Sequence, residues 1–179
     1  MPEAQLNDYG SGLAPAGDGW FVVNARDTAW WVTSELGSVC VFESPKAWFP
    51  QLGIKLSVLE PGQPNGLYHS ESQQEAFLVL SGECRLLVEG VERLLRPWDF
   101  FHSPAGTEHI FVGAGDLPCV ILMAGARSGD EQLHYPVSEL AARYGASAEE
   151  ETSDPDQAYA RFEQGGLGRP AYWDHLPWG

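Results

Sequence analysis

The chain has 179 residues, 44% of them apolar, and a formal charge of −15 from 25 acidic against 10 basic side chains. That length and apolar share suit one globular domain whose core can fold unaided. The acidic balance, with Lys and Arg scattered rather than striped, excludes a phosphate-gripping nucleic-acid surface and disfavours anionic membranes. The apolar run CVILMAGA (119–126) is far too short to span a bilayer. The opening MPEAQLNDYGSG lacks the basic and apolar parts of a signal peptide, so a cytoplasmic protein is expected. Cys40, Cys84 and Cys119 form no close pair, and their odd number suggests reduced thiols. Cys84 and Cys119 sit in apolar strand-like runs, where a free thiol packs as a small hydrophobe.

Residues 1–19, rich in Gly, Pro, Ala and Asp, read as a loose arm or draped extension. WFVVNARDTAWW (20–31) reads as one or two strands and VCVFES (39–44) as another; PKAWFPQ (45–51), with Pro at each end, reads as a loop or edge. A run of short strands follows. LGIKLSVLE ends at Pro61-Gly62; Glu75 to Leu80 leads into Ser81-Gly82; ECRLLVEG alternates Cys84, Leu86 and Val88 against Glu83, Arg85, Leu87 and Glu89. VERLLRPWDFFHS reaches Pro104-Ala105-Gly106, and HIFVGAG and PCVILMAGA close the series. Short strands at near-regular spacing with Gly/Pro turns predict an antiparallel all-β sandwich or barrel over 20–127.

Beyond about residue 128 the character changes, and 128–179 reads as a helical, aromatic-rich extension packed on the barrel or on a partner subunit. PVSELAARYGAS predicts a short helix with Ser138 as N-cap, Leu140 and Tyr144 on one side and Gly145 as stop. Asp154-Pro155-Asp156-Gln157 predicts a second helix through AYARFE, with a capping-box-like Gln157. The tail RPAYWDHLPWG is too aromatic to hang free.

The chemistry-bearing residues fall in two stretches, YHSESQQEAFLVLSG (68–82) and PWDFFHSPAGTEHIF (97–111). On a strand, i and i+2 face the same way, so His69 and Glu71 share a face. Glu75 follows a turn and can point back to the same place. His109 opens a later strand behind the Pro104–Glu108 turn. Imidazole and carboxylate at these places can converge on one metal ion inside a barrel. His102 reads as a core or rim histidine, and Glu108 as exposed. Gln73 and Gln74 are candidates for a polar substrate contact. Phe77, Val79, Phe100 and Phe111 read as core or pocket lining. His134 and His175 could reach the site only as part of a lid.

The two stretches resemble the motifs of the cupin family, G-x5-H-x-H-x3/4-E-x6-G and G-x5-P-x-G-x2-H-x3-N. Here they read His69-x-Glu71-x3-Glu75-x6-Gly82 and Pro104-x-Gly106-x2-His109. Gly62 stands one residue further from His69 than the pattern asks. Trp98 occupies the Gly position that opens the second motif, with Asp99 after it, and Gly113 replaces its final Asn. Glu71 stands where the second His belongs. The resemblance spans roughly 50–126 and implies an antiparallel jelly-roll β-barrel, completed here by the short helical extension. It also implies a divalent metal ion (Fe, Mn or Zn) on His69, Glu75 and His109, and a homodimer.

Glu71 has three open readings: fourth ligand, partner to a ligand, or general base. A carboxylate in place of an imidazole adds hardness and charge, favouring Mn, Fe(II) or Zn over Cu(I). Three functions follow for a small-molecule substrate. The first is an oxygenase-like metal-dependent enzyme. The second is a metal-dependent isomerase or lyase acting on a sugar or oxo acid. The third is a non-catalytic binding or sensory module.

Overall fold

The computed structural model describes residues 1–178; Gly179, last residue of the aromatic tail, lies outside them. In chain order the strands are β1 (Leu6–Asp8), β2 (Leu13–Pro15), β3 (Trp30–Val32), β4 (Ser38–Cys40), β5 (Leu52–Leu59), β6 (Ser70–Glu71) and β7 (Glu75–Ser81). They continue with β8 (Glu83–Val88), β9 (Val91–Leu95), β10 (Phe100–Ser103), β11 (His109–Ala114), β12 (Cys119–Ala126), β13 (Leu133–His134) and β14 (Gly166–Gly168). The two helices, α1 (Glu139–Ala142) and α2 (Pro155–Ala158), have four residues each, so the helical part of the extension is minor.

A seven-stranded antiparallel sheet runs β10-β7-β12-β5-β4-β3-β14, and a three-stranded sheet runs β11-β8-β9. Their facing sides enclose Leu59, Phe77, Val79, Cys84, Leu86, Phe111, Cys119, Ile121 and Met123. Every second residue points into this interior, as the strand period requires. Among the described residues the two sheets are separate ladders, and isolated bridges tie β11 to the connection between β5 and β6, His109 to His69 and Val112 to Pro64.

The alternate residues are buried too, because the C-terminal segment covers both outer faces. Ile110, Val112 and Leu87 pack under Ala141 and Ala146, with Leu140 and Tyr144 beside them. That is why β11 is buried at all six positions. On the other side Leu56, Val58 and Val120 pack with Trp30, Leu176, Trp173 and Trp178. The tail aromatics therefore lie on this chain's own sheet, with Trp178 5.3 Å and Trp173 6.1 Å from the Trp30 ring.

Several local expectations need correction. Of 20–31 only its end is strand, because Asn24 nucleates a turn: its Oδ1 accepts from Arg26 N and its carbonyl from Asp27 N and Thr28 Oγ1. Strand at 39–44 stops at Cys40, and Ser44 and Ala47 close a turn instead. The first residues pair as the β1–β2 hairpin, tied to the body where Ser44 Oγ donates to Pro15 O. Ser138 caps α1 and Gly145 ends its turn at φ 68°, as predicted. The second helix stops at Ala158 instead of running through AYARFE, and the chain tightens into i→i+3 bonds at Ala160 and Phe162. Gln157 accepts from Thr152 Oγ1, so it forms no capping box.

Candidate metal centre

His69, just before β6, and His109, the first residue of β11, are backbone partners. His109 N donates to His69 O at 2.8 Å, and His69 N to His109 O at 3.2 Å. The turn of the second motif is fastened to the first, since Gly106 N donates to Glu71 O at 2.8 Å. Glu75 opens β7 between Ser103 of β10 and Gly125 of β12, so three strands fix its backbone. Ligand-capable atoms of His69, Glu75 and His109 all lie within 4.8 Å of one another.

Hydrogen bonds decide which imidazole nitrogen faces the centre. A carbonyl can only accept, so His69 Nδ1–H donates to Leu67 O at 2.7 Å and His109 Nδ1–H to Thr107 O at 3.0 Å. Ser103 Oγ lies 3.4 Å from the same His109 nitrogen. Both Nε2 lone pairs are left for the interior. His109 Nε2 is 3.3 Å from Glu75 Oε2, and His69 Nε2 is 3.3 Å from Glu71 Oε1. Orientation of ligand imidazoles by backbone carbonyls is the arrangement metal-binding histidines need. Packing holds the rings further: Phe77 meets His109 edge-on at 5.1 Å, Phe101 at 5.6 Å, and Tyr135 stacks on His69 at 5.7 Å.

Two imidazoles and one carboxylate with free lone pairs on a common point suit a hard or borderline divalent cation. Glu71 is outside this tight group. It contacts His69 instead. Burial alone would raise its carboxyl, but the effect of the adjacent His69 outweighs that and holds it below the usual carboxylate range. Across from it, partial burial and the bond to Glu71 push Glu131 above that range.

Through Glu75 the centre adjoins a cavity of about 530 Å³ on the β5, β6, β7 and β12 side, bordered by Lys55, Glu71, Glu75, Met123 and Gly125 but by neither histidine. Its mouth comes from segments outside the motifs: Glu43 and Trp48 before β5, and Arg127 and Glu131 after β12.

Of the remaining candidates, Phe77, Val79 and Phe111 are buried, whereas Phe100 is 65% exposed. It faces outward in β10, and its neighbour Phe101 packs against the interior, so the alternation is the reverse of the one expected. His102 is exposed and belongs neither to core nor to site, and Glu108 is half-buried, its amide held by Glu89. Gln73 and Gln74 do not border the cavity. The His134 side chain faces Glu151 at 3.8 Å, and His175 is exposed beside Tyr172.

Sequence reasoning missed Tyr135, Ser103, Glu131 and the mouth residues. Ser103 stands six residues before His109 in the second stretch, and the others are brought in by long-range packing to which no motif spacing points.

Residues 55–125 match the family model of the cupin domain, a span that holds His69, Glu75 and His109. Over those residues the chain is similar to the cupin domain. Solved structures agree. A sugar phosphate isomerase from the cupin superfamily of Silicibacter pomeroyi is 30% identical, with TM-score 0.51 over 55% of this chain and 64% of that one. This chain thus spans less than two thirds of that protein. A polyketide cyclase from Streptomyces resistomycificus is 15% identical, with TM-score 0.53 over 62% of this chain and 82% of that one. An RmlC-like cupin from Shewanella frigidimarina is 16% identical, with TM-score 0.50 over 60% and 91%. These last two speak for the fold alone. No curated protein sequence matches the chain. Among the described residues no helix is long and apolar enough to cross a membrane.

The cupin motif's Gly positions explain one oddity. Trp98, at the place of the second motif's opening Gly, adopts φ 75°, a left-handed conformation costly for a side-chain-bearing residue. Gly113, in place of Asn, is required here, since a Cβ would sit 2.1 Å from Glu60 O.

Proposed function

We propose that this protein is a metal-dependent isomerase or lyase acting on a carbonyl or hydroxyl group of a small sugar-like or oxo-acid substrate. The observation that carries the reading is the pair of imidazoles whose Nδ1–H groups are committed to carbonyls while both Nε2 atoms face Glu75 and Glu71. His69, Glu75 and His109 would hold the ion. A divalent ion bound there supplies Lewis acidity toward a substrate oxygen. Glu71 supplies what isomerisation or elimination further needs, an ionised carboxylate beside the bound substrate. Its Oε1 takes the proton from the carbon next to the carbonyl. In isomerisation it returns that proton to the former carbonyl carbon while the substrate's hydroxyl proton passes to the former carbonyl oxygen. In elimination it delivers the proton to the departing hydroxyl, which leaves as water. The Glu131 carboxyl borders the same cavity as that base. Phe77, Phe101 and Tyr135 exclude water from one side of the centre. The Silicibacter protein's description as a sugar phosphate isomerase supports this class of chemistry.

The oxygenase reading rests on the same two-His, one-carboxylate set, which also suits Fe(II). The two separate on oxygen and metal. Isomerase or lyase turnover persists with redox-inert zinc under anaerobic conditions and falls with Glu71→Gln. Oxygen uptake by the iron-loaded protein, with no anaerobic turnover, would replace the first reading by the second.

A further inference from the structure

The mouth of the cavity carries a recognition surface that the cupin motifs do not account for. Arg127, just beyond β12, is locked by three hydrogen bonds. Nη1 donates to Glu43 Oε1 at 2.6 Å and to Phe49 O at 2.8 Å, and Nη2 donates to Glu43 Oε2 at 2.9 Å. Glu43 Oε1 also accepts from Phe49 N at 2.6 Å. The guanidinium plane lies 3.7 Å from the centre of the Trp48 ring. Trp48 is thereby held in place by a half-buried ion pair although it is 60% exposed. A large aromatic side chain fixed at a cavity mouth and left open to solvent is a ready stacking surface.

The charges of the same cavity limit what can enter. Its border carries the carboxyl groups of Glu43, Glu71, Glu75 and Glu131 against the cations Lys55 and Arg127. Arg127 has its charge offset by two-point pairing with Glu43, and three of its five N–H donors are taken by Glu43 and Phe49. Lys55 makes no ion pair among the described residues and is the single remaining cation of the lining. A phosphate dianion finds here no guanidinium whose charge is unpaired and no helix N-terminus, the groups that usually receive it. Hydroxyl groups fare differently. Each O–H can donate to a carboxylate, a charge-assisted bond about twice as strong as a neutral one.

We propose that Trp48, clamped by Arg127 and Glu43, forms a subsite for an unphosphorylated, polyhydroxylated sugar ring, whose hydroxyls reach the carboxylates of Glu71, Glu75 and Glu131. This rests on the metal-centre reading above and narrows it. The substrate class becomes neutral sugars rather than their phosphate esters.

The test is calorimetric titration of the full-length, zinc-loaded protein with neutral pentoses and hexoses, each paired with its phosphate monoester. Zinc content is measured on every sample. The best neutral sugar is expected to bind at least about tenfold more tightly than its phosphate ester. Trp48→Ala is expected to weaken that sugar by about tenfold with zinc content unchanged, and Trp48→Phe, which keeps a flat ring, to restore most of it. The proposal is overturned if the phosphate esters bind as tightly or better, if no neutral sugar binds the zinc-loaded protein, or if Trp48→Ala leaves binding unchanged. Failure of the wild-type protein to take up zinc contradicts the metal-centre reading instead, and the two failures are told apart by the zinc measurement alone.

Discussion

The two ends of the space between the sheets are built from the same strands and behave as opposites. At one end Leu59, Cys84 and Cys119 are completely buried, and the adjoining Cys84, then burial, raise the Cys119 thiol far above its usual range. At the other end the same β7 and β12 present Glu75 and Gly125, and β11 begins with His109. The first end is held by apolar packing and would tolerate no charge. The second is held by directed hydrogen bonds, from imidazole Nδ1 to carbonyl and between His69 and His109 backbones. The contrast teaches that packing fixes the frame, whereas chemistry is placed where strands begin and carbonyls are free to orient side chains.

Mutations should separate the two ends. His109→Ala has the largest expected effect on chemistry: metal affinity falls by more than about a hundredfold, and the rise in Tm on adding metal disappears. Ile121→Ala, at the packed end, should cost about 2–5 kcal/mol in urea unfolding while metal stoichiometry stays intact. If Ile121→Ala instead strips the metal, the two ends are not independent. Glu71→Gln sharpens the polar end. It should keep the metal and lower turnover by about a hundredfold, the scale of a lost general base.

Cys40 tests a third region, the outer face of the large sheet packed with Trp30 and Leu176. Burial pushes the Cys40 thiol up to about 12, from 9.0 when free. Below pH about 9 the thiol is protonated in both folded and unfolded chains, and its contribution is fully present. Above that only the unfolded chain ionises, so stability falls by about 1.4 kcal/mol per pH unit until the folded thiol titrates too. Urea midpoints between pH 8 and 11 should show this loss, and Cys40→Ala should reduce it. The smallest effect belongs to Trp98→Gly. It relieves a positive φ at a 75% exposed residue and should stabilise by about 1 kcal/mol.

The centre was legible from spacing. His69, Glu75 and His109 stand at motif intervals, and strand period places His69 and Glu71 on one face. The apolar alternation of Cys84, Leu86 and Val88 likewise gave the inward side of β8 correctly. What spacing could not convey came from distant packing. Tyr135, far beyond the motifs, stacks on His69 because the extension folds back over β6 and β11. Arg127 and Glu43, 84 residues apart, meet only because β12 ends beside the loop before β5. Phe100 and Phe101 are adjacent aromatics, so composition alone leaves open which one faces inward. The residues 20–31 look strand-like by β-branching and aromatics, yet the Asn24 turn overrides that propensity.

The central claim is that His69, Glu75 and His109 hold one divalent ion through the two Nε2 atoms and the Glu75 carboxylate. Elemental analysis of protein purified without chelators, together with anomalous X-ray scattering from its crystals, tests it directly. The account predicts about one ion per chain, with a peak roughly 2.0–2.2 Å from His69 Nε2, His109 Nε2 and a Glu75 oxygen. Metal far below one per chain, or a peak that leaves either histidine uncoordinated, would contradict it.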